Sequence, residues 1–228
     1  MSFRKHLRTA GVATAFVAII AAGMLSSSRR VKAHDDDDER DEVRIHRGFE
    51  IAPVSLDLVG KNPSLVGLGS YLVNAVADCN GCHSAGTATE YAVGGNPYFD
   101  QKPAIVNPKT YLGGGRDFGQ FPGPGPFPDI ISRNLTPDKT GRAEGGNTFE
   151  QFKTIMRTGT DMDKVHPTCT GGPDGNCIPP PFDGSLLQIM PWPVHQNMTD
   201  HDLRAIYEYL SSIPCLEGGP GEPANRCQ

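Results

Sequence analysis

Six cysteines punctuate the chain, at positions 79, 82, 169, 177, 215 and 227, and two of them stand in Cys79-Asn80-Gly81-Cys82-His83. Two thiols separated by two residues and followed directly by an imidazole form the pattern that attaches haem c. The thiols add across the two vinyl groups of one porphyrin, which ties the ring edge to a tight turn. His83 then lies below the ring with a nitrogen directed at iron. Gly81 removes side-chain bulk where backbone crowds the porphyrin edge. Other uses of a C-x-x-C pair fit less well. A thioredoxin-like dithiol needs a surrounding βαβ pattern, which is not visible. A zinc site needs a second pair of ligands at metal-like spacing, and seven residues separate Cys169 from Cys177.

An electron carrier holds iron with a second axial ligand. Of six methionines, Met1 and Met24 fall in the N-terminal segment, Met156 sits on an apolar helix face, Met162 lies in a polar run and Met198 precedes a helix cap. Met190 stands in a loop that Pro191 and Pro193 stiffen, and a restrained thioether costs less entropy to hold on iron. Such ligation favours the ferrous state. His195 is the chief rival and His166 another. Trp192 is the single tryptophan, expected to pack at the haem edge or donate its indole N–H to a propionate.

Three helices are predicted to position these groups. The first runs from about Ser64 to Ala77, with Leu65, Leu68, Tyr71, Leu72, Ala75 and Val76 on one face and Asn62-Pro63-Ser64 as its start signal. The second spans Phe149 to Thr158, capped by Thr148 with Gln151 reaching back, and ended by Gly159. The third spans Asp200 to Ser212, with Thr199 as cap, Leu203, Ile206, Tyr207 and Leu210 as its buried stripe, and Pro214 beyond. Residues 84–146 are mostly turns, with Gly113-Gly114-Gly115 and the Pro/Gly alternation of 121–126 forbidding regular helix. A stretch so long and irregular calls for something packed beneath it, and a flat apolar cofactor would serve. No strand alternation is convincing beyond Ala104-Ile105-Val106.

The chain has 228 residues with 37% hydrophobic content, enough for one modest core. Residues 1–33 read as a signal peptide: a basic start at Arg4, Lys5 and Arg8, an apolar run from about Ala10 to Leu25, and Val31-Lys32-Ala33 as a cleavage site. This segment holds six of the 21 basic residues and none of the 26 acidic ones, so its removal moves the formal charge from −5 to −11. That sign excludes a nucleic-acid partner and suits one with a basic docking face. The run Asp35–Glu39 reads as a solvated tail. The expected organisation is a signal peptide over 1–33, an acidic leader over 34–62, the haem domain over 63–214 and a tail over 215–228. Four cysteines remain after haem attachment, and export permits disulfides. Sequence neighbours meet most often, so Cys169–Cys177 and Cys215–Cys227 are expected.

The order helix, C-x-x-C-H, long loop, helix, Met-Pro loop, helix resembles a class I cytochrome c. It is more similar still to the cytochrome c subunits of membrane-associated alcohol and aldehyde dehydrogenases. The similar stretches are Gly69-Ser70-Tyr71-Leu72, Asp78–His83, Gly113-Gly114-Gly115-Arg116, Asn134-Leu135-Thr136-Pro137-Asp138, Arg157-Thr158-Gly159, Met190-Pro191-Trp192-Pro193 and Leu203–Leu210. The resemblance covers about residues 65–213. It implies a mostly α, cytochrome c-like fold around one covalent haem c, with Cys79 and Cys82 attaching it and His83 and Met190 as iron ligands. It also implies that Asn134 and Thr136 lie on the propionate side, with loop shaping as the equal alternative. The implied role is electron transfer rather than catalysis, from an exported dehydrogenase to an oxidase or quinone chain, with any membrane association peripheral and through a complex. Three features depart from the family: this chain has one haem motif where those subunits usually have several, Thr168–Pro181 looks inserted, and the later cysteines lie outside the general pattern. A peroxidase-like enzyme or a haem sensor would instead need an open sixth position.

Overall fold

The computed structural model describes residues 41–218 and 225–228. The chain divides into two units, Met1–Val43 and the compact Arg44–Gln228, and the C-x-x-C-H motif belongs to the second. The expected signal peptide and the run Asp35–Glu39 lie outside the described residues.

A helix absent from the sequence-based reading opens the compact unit. Residues 44–51, called α1, are helical although partly charged. They pack on α2 (Pro63–Tyr71), where Gly48 and Gly67 meet so closely that a Cβ on Gly48 would overlap the Gly67 carbonyl. Ser70 Oγ donates to Gly48 O at 2.7 Å across this contact. Ordered structure therefore begins ahead of residue 63.

Asn62 caps α2 by accepting from the backbone N–H groups of Ser64 and Leu65, as its side-chain chemistry favours. The helix then widens into a π-helical turn over Leu72–Val76 before the short α3 (Cys79–Cys82). A two-stranded antiparallel ribbon follows, β1 (Asp117–Gln120) with β2 (Asp129–Ile131), paired at Asp117–Ile131 and Gln120–Asp129 across an irregular register. The expected strand segment Ala104-Ile105-Val106 contributes only an isolated bridge from Val106 to Tyr91. After α4, a kinked turn over Ala143–Gly146, come α5 (Phe149–Thr158), the turn α6 (Trp192–His195) and α7 (Asp200–Leu210). The boundaries of α5 are those the sequence predicts, including the reciprocal capping box of Thr148 and Gln151 and the left-handed Gly159.

The core lies where α2 crosses α7. Val66, Leu68, Leu203, Ala205, Ile206 and Leu210 are buried there, each large side chain contributing roughly 1.5–3 kcal/mol by leaving water. The crossing is close because Gly69 has no side chain: a Cβ there would overlap the backbone carbonyl of Ala205. Beneath the crossing, Tyr111 Oη donates to Asn74 Oδ1 at 2.5 Å and lies 2.7 Å from Tyr209 Oη. These polar groups are buried yet hydrogen-bonded to one another, which spares the cost of orphaned donors.

Both expected disulfides are present. Cys169–Cys177 closes a loop within residues 168–181 and Cys215–Cys227 ties the C-terminal segment back. No helix among the described residues is long and apolar enough to cross a membrane.

Candidate functional site

Cys79, Cys82, His83 and Met190 all line one cavity. Apolar side chains dominate its wall, among them Phe118, Ile130, Leu135, Phe152, Ile206 and Leu210. A concave space with this lining suits a cofactor. Its walls come from α3, the β1–β2 ribbon, α5, α7 and the loop before α6.

The C-x-x-C-H turn is held from several sides. Asp78 sits in the left-handed region at φ 48°. A Cβ on Gly81 would lie 2.6 Å from Asp78 Oδ2, so any other residue here would displace the Asp78 carboxylate. The buried Asn80 side chain accepts from Leu112 N at 2.9 Å, Gly114 N donates to His83 O at 2.8 Å, and Arg116 Nη1 donates to Gly81 O. The Arg116 guanidinium in turn lies 5.1 Å from the centre of the Phe118 ring. The Gly113-Gly114-Gly115 run has a positional reason. Gly114 is left-handed at φ 69°, and a Cβ on it would strike the Arg133 backbone. The run therefore lies between the C-x-x-C-H turn and residues 132–135.

That close approach decides the state of His83. Its Nδ1 lies 2.8 Å from Arg133 O. A carbonyl can only accept, so Nδ1 carries the proton and Nε2 keeps its lone pair. Burial also pushes the imidazole below its ordinary pKa, although the hydrogen bond to Arg133 opposes this. A neutral imidazole oriented by a backbone carbonyl is the ligand form that metals take. The Arg133 side chain is engaged elsewhere, with Asp161 at 2.6 Å and with Asp163, which pins the chain after α5 against the chain after β2.

The two motif thiols are not oxidised to each other. Burial pushes the Cys79 thiol up to about 12, and Asp78 adds to the effect. An attacking thiolate at Cys79 is disfavoured at neutral pH in such a setting.

Met190 reaches the cavity from a loop that α5 and α6 brace. Leu187 N donates to Gly159 O at 2.7 Å, and Trp192 Nε1 donates to Leu187 O at 3.2 Å. The Trp192 indole is thus spent within the loop, packed against Gly159, and is absent from the cavity wall. This corrects the expectation of a propionate hydrogen bond. Gly159→Ala is expected to destabilise the protein by about 2 kcal/mol, because the residue is left-handed at φ 70° and the new methyl group would overlap the indole. Thermal melts of the two proteins check this.

Two other candidate ligands share the wall with Met190. Met156 is 5% exposed and belongs to the core, and His195 is half-buried, its imidazole pushed below the ordinary value by desolvation. His166 lines a neighbouring chamber instead, its Nδ1 3.3 Å from Asn176 O.

Asn134 and Thr136 are buried away from the cavity wall. Asn134 Oδ1 accepts from both the backbone and the hydroxyl of Thr136, Asn134 Nδ2 donates to Leu216 O at 3.1 Å, and Leu216 N donates to Thr136 Oγ1 at 3.0 Å. They lock the C-terminal segment to the loop, which is the loop-shaping role rather than a propionate contact. Glu144, on the kinked α4, had no signal in the sequence. The residue lines both the cavity and the neighbouring chamber.

Among curated proteins, 142 residues are 27% identical to the fructose dehydrogenase cytochrome subunit of Gluconobacter japonicus, covering 62% of this chain and 20% of that one. A further stretch of similarity, 27% identity over 149 residues, joins it to the gluconate 2-dehydrogenase cytochrome c subunit of Pantoea cypripedii, covering 65% of this chain and 23% of that one. The chain thus spans about a fifth of the length of the curated relatives it matches. No family model matches the chain, and no solved structure matches it.

Proposed function

Starting from this likeness to the cytochrome subunits of dehydrogenases, we propose that the chain is an exported electron carrier with a class I cytochrome c-like fold and one covalent haem c. In this reading Cys79 and Cys82 hold the porphyrin, and His83 and Met190 are the axial ligands of its iron. The observation that carries the proposal is the His83 Nδ1 to Arg133 O hydrogen bond at 2.8 Å, which frees Nε2 on a residue that shares an apolar cavity with both thiols and a thioether. The donor set therefore fits the group.

Haem supplies a one-electron couple; the chain supplies its setting. His83 is kept neutral and aimed, so no proton has to leave it before it binds metal. The Met190 loop, braced by Gly159 and Trp192, restrains the thioether. Phe118, Ile130, Phe152 and Ile206 exclude water, which favours the less charged, reduced form. The chain makes and breaks no substrate bond. Its partners are redox proteins: a dehydrogenase as donor, and an oxidase or quinone chain as acceptor, with a basic docking face against this acidic chain.

Protein matured with haem-attachment machinery is expected to be red, to carry one haem by intact mass, and to show in its oxidised absorbance spectrum a methionine–iron charge-transfer band. Cys79→Ser with Cys82→Ser should abolish covalent haem. A colourless wild-type protein with the mass of the bare polypeptide would overturn the reading.

A further inference from the structure

Glu144 shares the cavity wall with Asp78, Arg133 and His195, titratable groups that the proposed haem ligation does not use. It sits on α4 with its backbone in the left-handed region, φ 48° and ψ 55°, which is unfavourable for a residue with a Cβ. Its backbone N–H is fixed to Leu135 O at 3.1 Å. One carboxyl oxygen, Oε2, is buried with no hydrogen-bond partner among the described residues. The natural counter-ion, Arg133, is already engaged by Asp161 and Asp163.

The side chain stands in a partition. On one side is the apolar cavity proposed to hold haem. On the other is a more polar chamber, lined by Arg133, Asp161, Asp163 and His166 among others. A carboxyl group held by Asn147 on one side, with its Oε2 buried and unpartnered, between a redox centre and a polar route to solvent is placed to exchange a proton when the centre changes charge.

We propose that Glu144 is the proton acceptor coupled to electron uptake in this protein, a reading that rests on haem occupying the cavity. The balance is simple. One electron passes from a one-electron donor to the haem, whose net charge falls by one. One proton passes from solvent through the chamber to the Glu144 carboxylate, which becomes a neutral carboxyl group. Reoxidation returns both. The driving force is Coulombic: in a poorly screened site, a carboxylate is favoured beside the more positive oxidised centre and disfavoured beside the reduced one.

Burial already pushes the Glu144 carboxyl up to about 7, with the Arg133 charge acting against the shift. Its proton affinity is higher in the reduced protein, so the midpoint potential must fall as pH rises through the interval between the two affinities and flatten on either side. Several other ionisable groups surround it. Arg133, Asp161 and Asp163 face it across the chamber, and His83 and His195 share its cavity. Tyr207 on α7 donates to Asn147 O close by, and Arg226 approaches Gly145. The test must therefore separate Glu144 from these and from the haem propionates.

Potentiometry of the purified haem-loaded protein between pH 5 and 9 does so. In the wild type the midpoint should fall with rising pH across neutrality, by at most about 59 mV per pH unit, one tenfold step in proton activity for one electron. Glu144→Gln should remove that slope. Glu144→Gly removes the same carboxyl group while relieving the left-handed backbone, and should do likewise should the glutamine variant fold poorly. A wild-type midpoint flat across the range, or a slope that survives in either folded variant, overturns the proposal. A red protein with either result leaves the haem reading standing; a colourless one removes that reading first.

Discussion

Met190→Ala is expected to convert the protein from an electron carrier into a ligand-binding haem protein. The charge-transfer band should vanish, the ferrous form should bind carbon monoxide, and the potential should drop by roughly 0.1–0.3 V, part of the ~0.8 V range that axial ligands command. The size of the effect follows from where Met190 stands. The loop that carries it is tied to Gly159 through Leu187 and braced by Trp192, so no neighbouring thioether slides into its place. Met156 is held in the core on α5. His195 is the side chain that competes, since it lines the same cavity on α6. His195→Ala is the paired measurement. If that variant loses the low-spin spectrum while Met190→Ala keeps it, His195 is the ligand. The same pair bears on the peroxidase-like and sensor alternatives: a wild-type protein that binds carbon monoxide has an open sixth position.

Gly69→Ala is expected to cost about 3 kcal/mol or more, a large part of the 5–15 kcal/mol that holds an ordinary domain together. The added methyl group would overlap the Ala205 carbonyl and lie 2.7 Å from the Tyr209 Cβ. A carbonyl within a helix cannot rotate away as a side chain can. Relief requires α2 and α7 to separate, which loosens the packing of Leu68, Leu203 and Ile206 together. Denaturant unfolding followed by circular dichroism measures the loss. Gly171→Ala is the control: nothing lies within 4 Å of a Cβ there, and stability should change by less than about 0.5 kcal/mol. A Gly69→Ala protein as stable as that control would show that the two helices do not cross at this glycine.

Much of the helical structure was legible because its signals are local. Thr148, Gln151 and Gly159 are capping chemistry written within a dozen residues, and α5 begins and ends where they dictate. The stripe on α7 is equally local: Leu203, Ile206 and Leu210 recur at helical spacing and are buried. α1 was missed because Arg44, Arg47 and Glu50 break up its short apolar pattern, and its packing turns on Gly48 and Gly67, two residues without side chains whose value appears only when the helices touch. The ribbon of β1 and β2 was missed because it is short, glycine- and proline-flanked and irregular in register. Trp192, as the single tryptophan, and Asn134 and Thr136, by family resemblance, are expected beside haem. Each instead completes hydrogen bonds within the polypeptide, a choice among partners that composition cannot reveal.

By itself the sequence determined the chemistry on offer: two thiols and an imidazole on one turn, a stiffened methionine loop, and helices whose caps and apolar faces are fixed by neighbours a few residues away. Only the tertiary structure decided how those parts are used. It set the Arg133 carbonyl against His83, and so the tautomer, by laying a glycine run close enough for two backbones to meet. It also stranded Glu144 in a partition with its natural counter-ion already taken. The division has one physical cause. Helix propensity and capping act over a few residues, whereas the orientation of a ring and the desolvation of a carboxylate depend on atoms that the chain brings together from far apart in sequence.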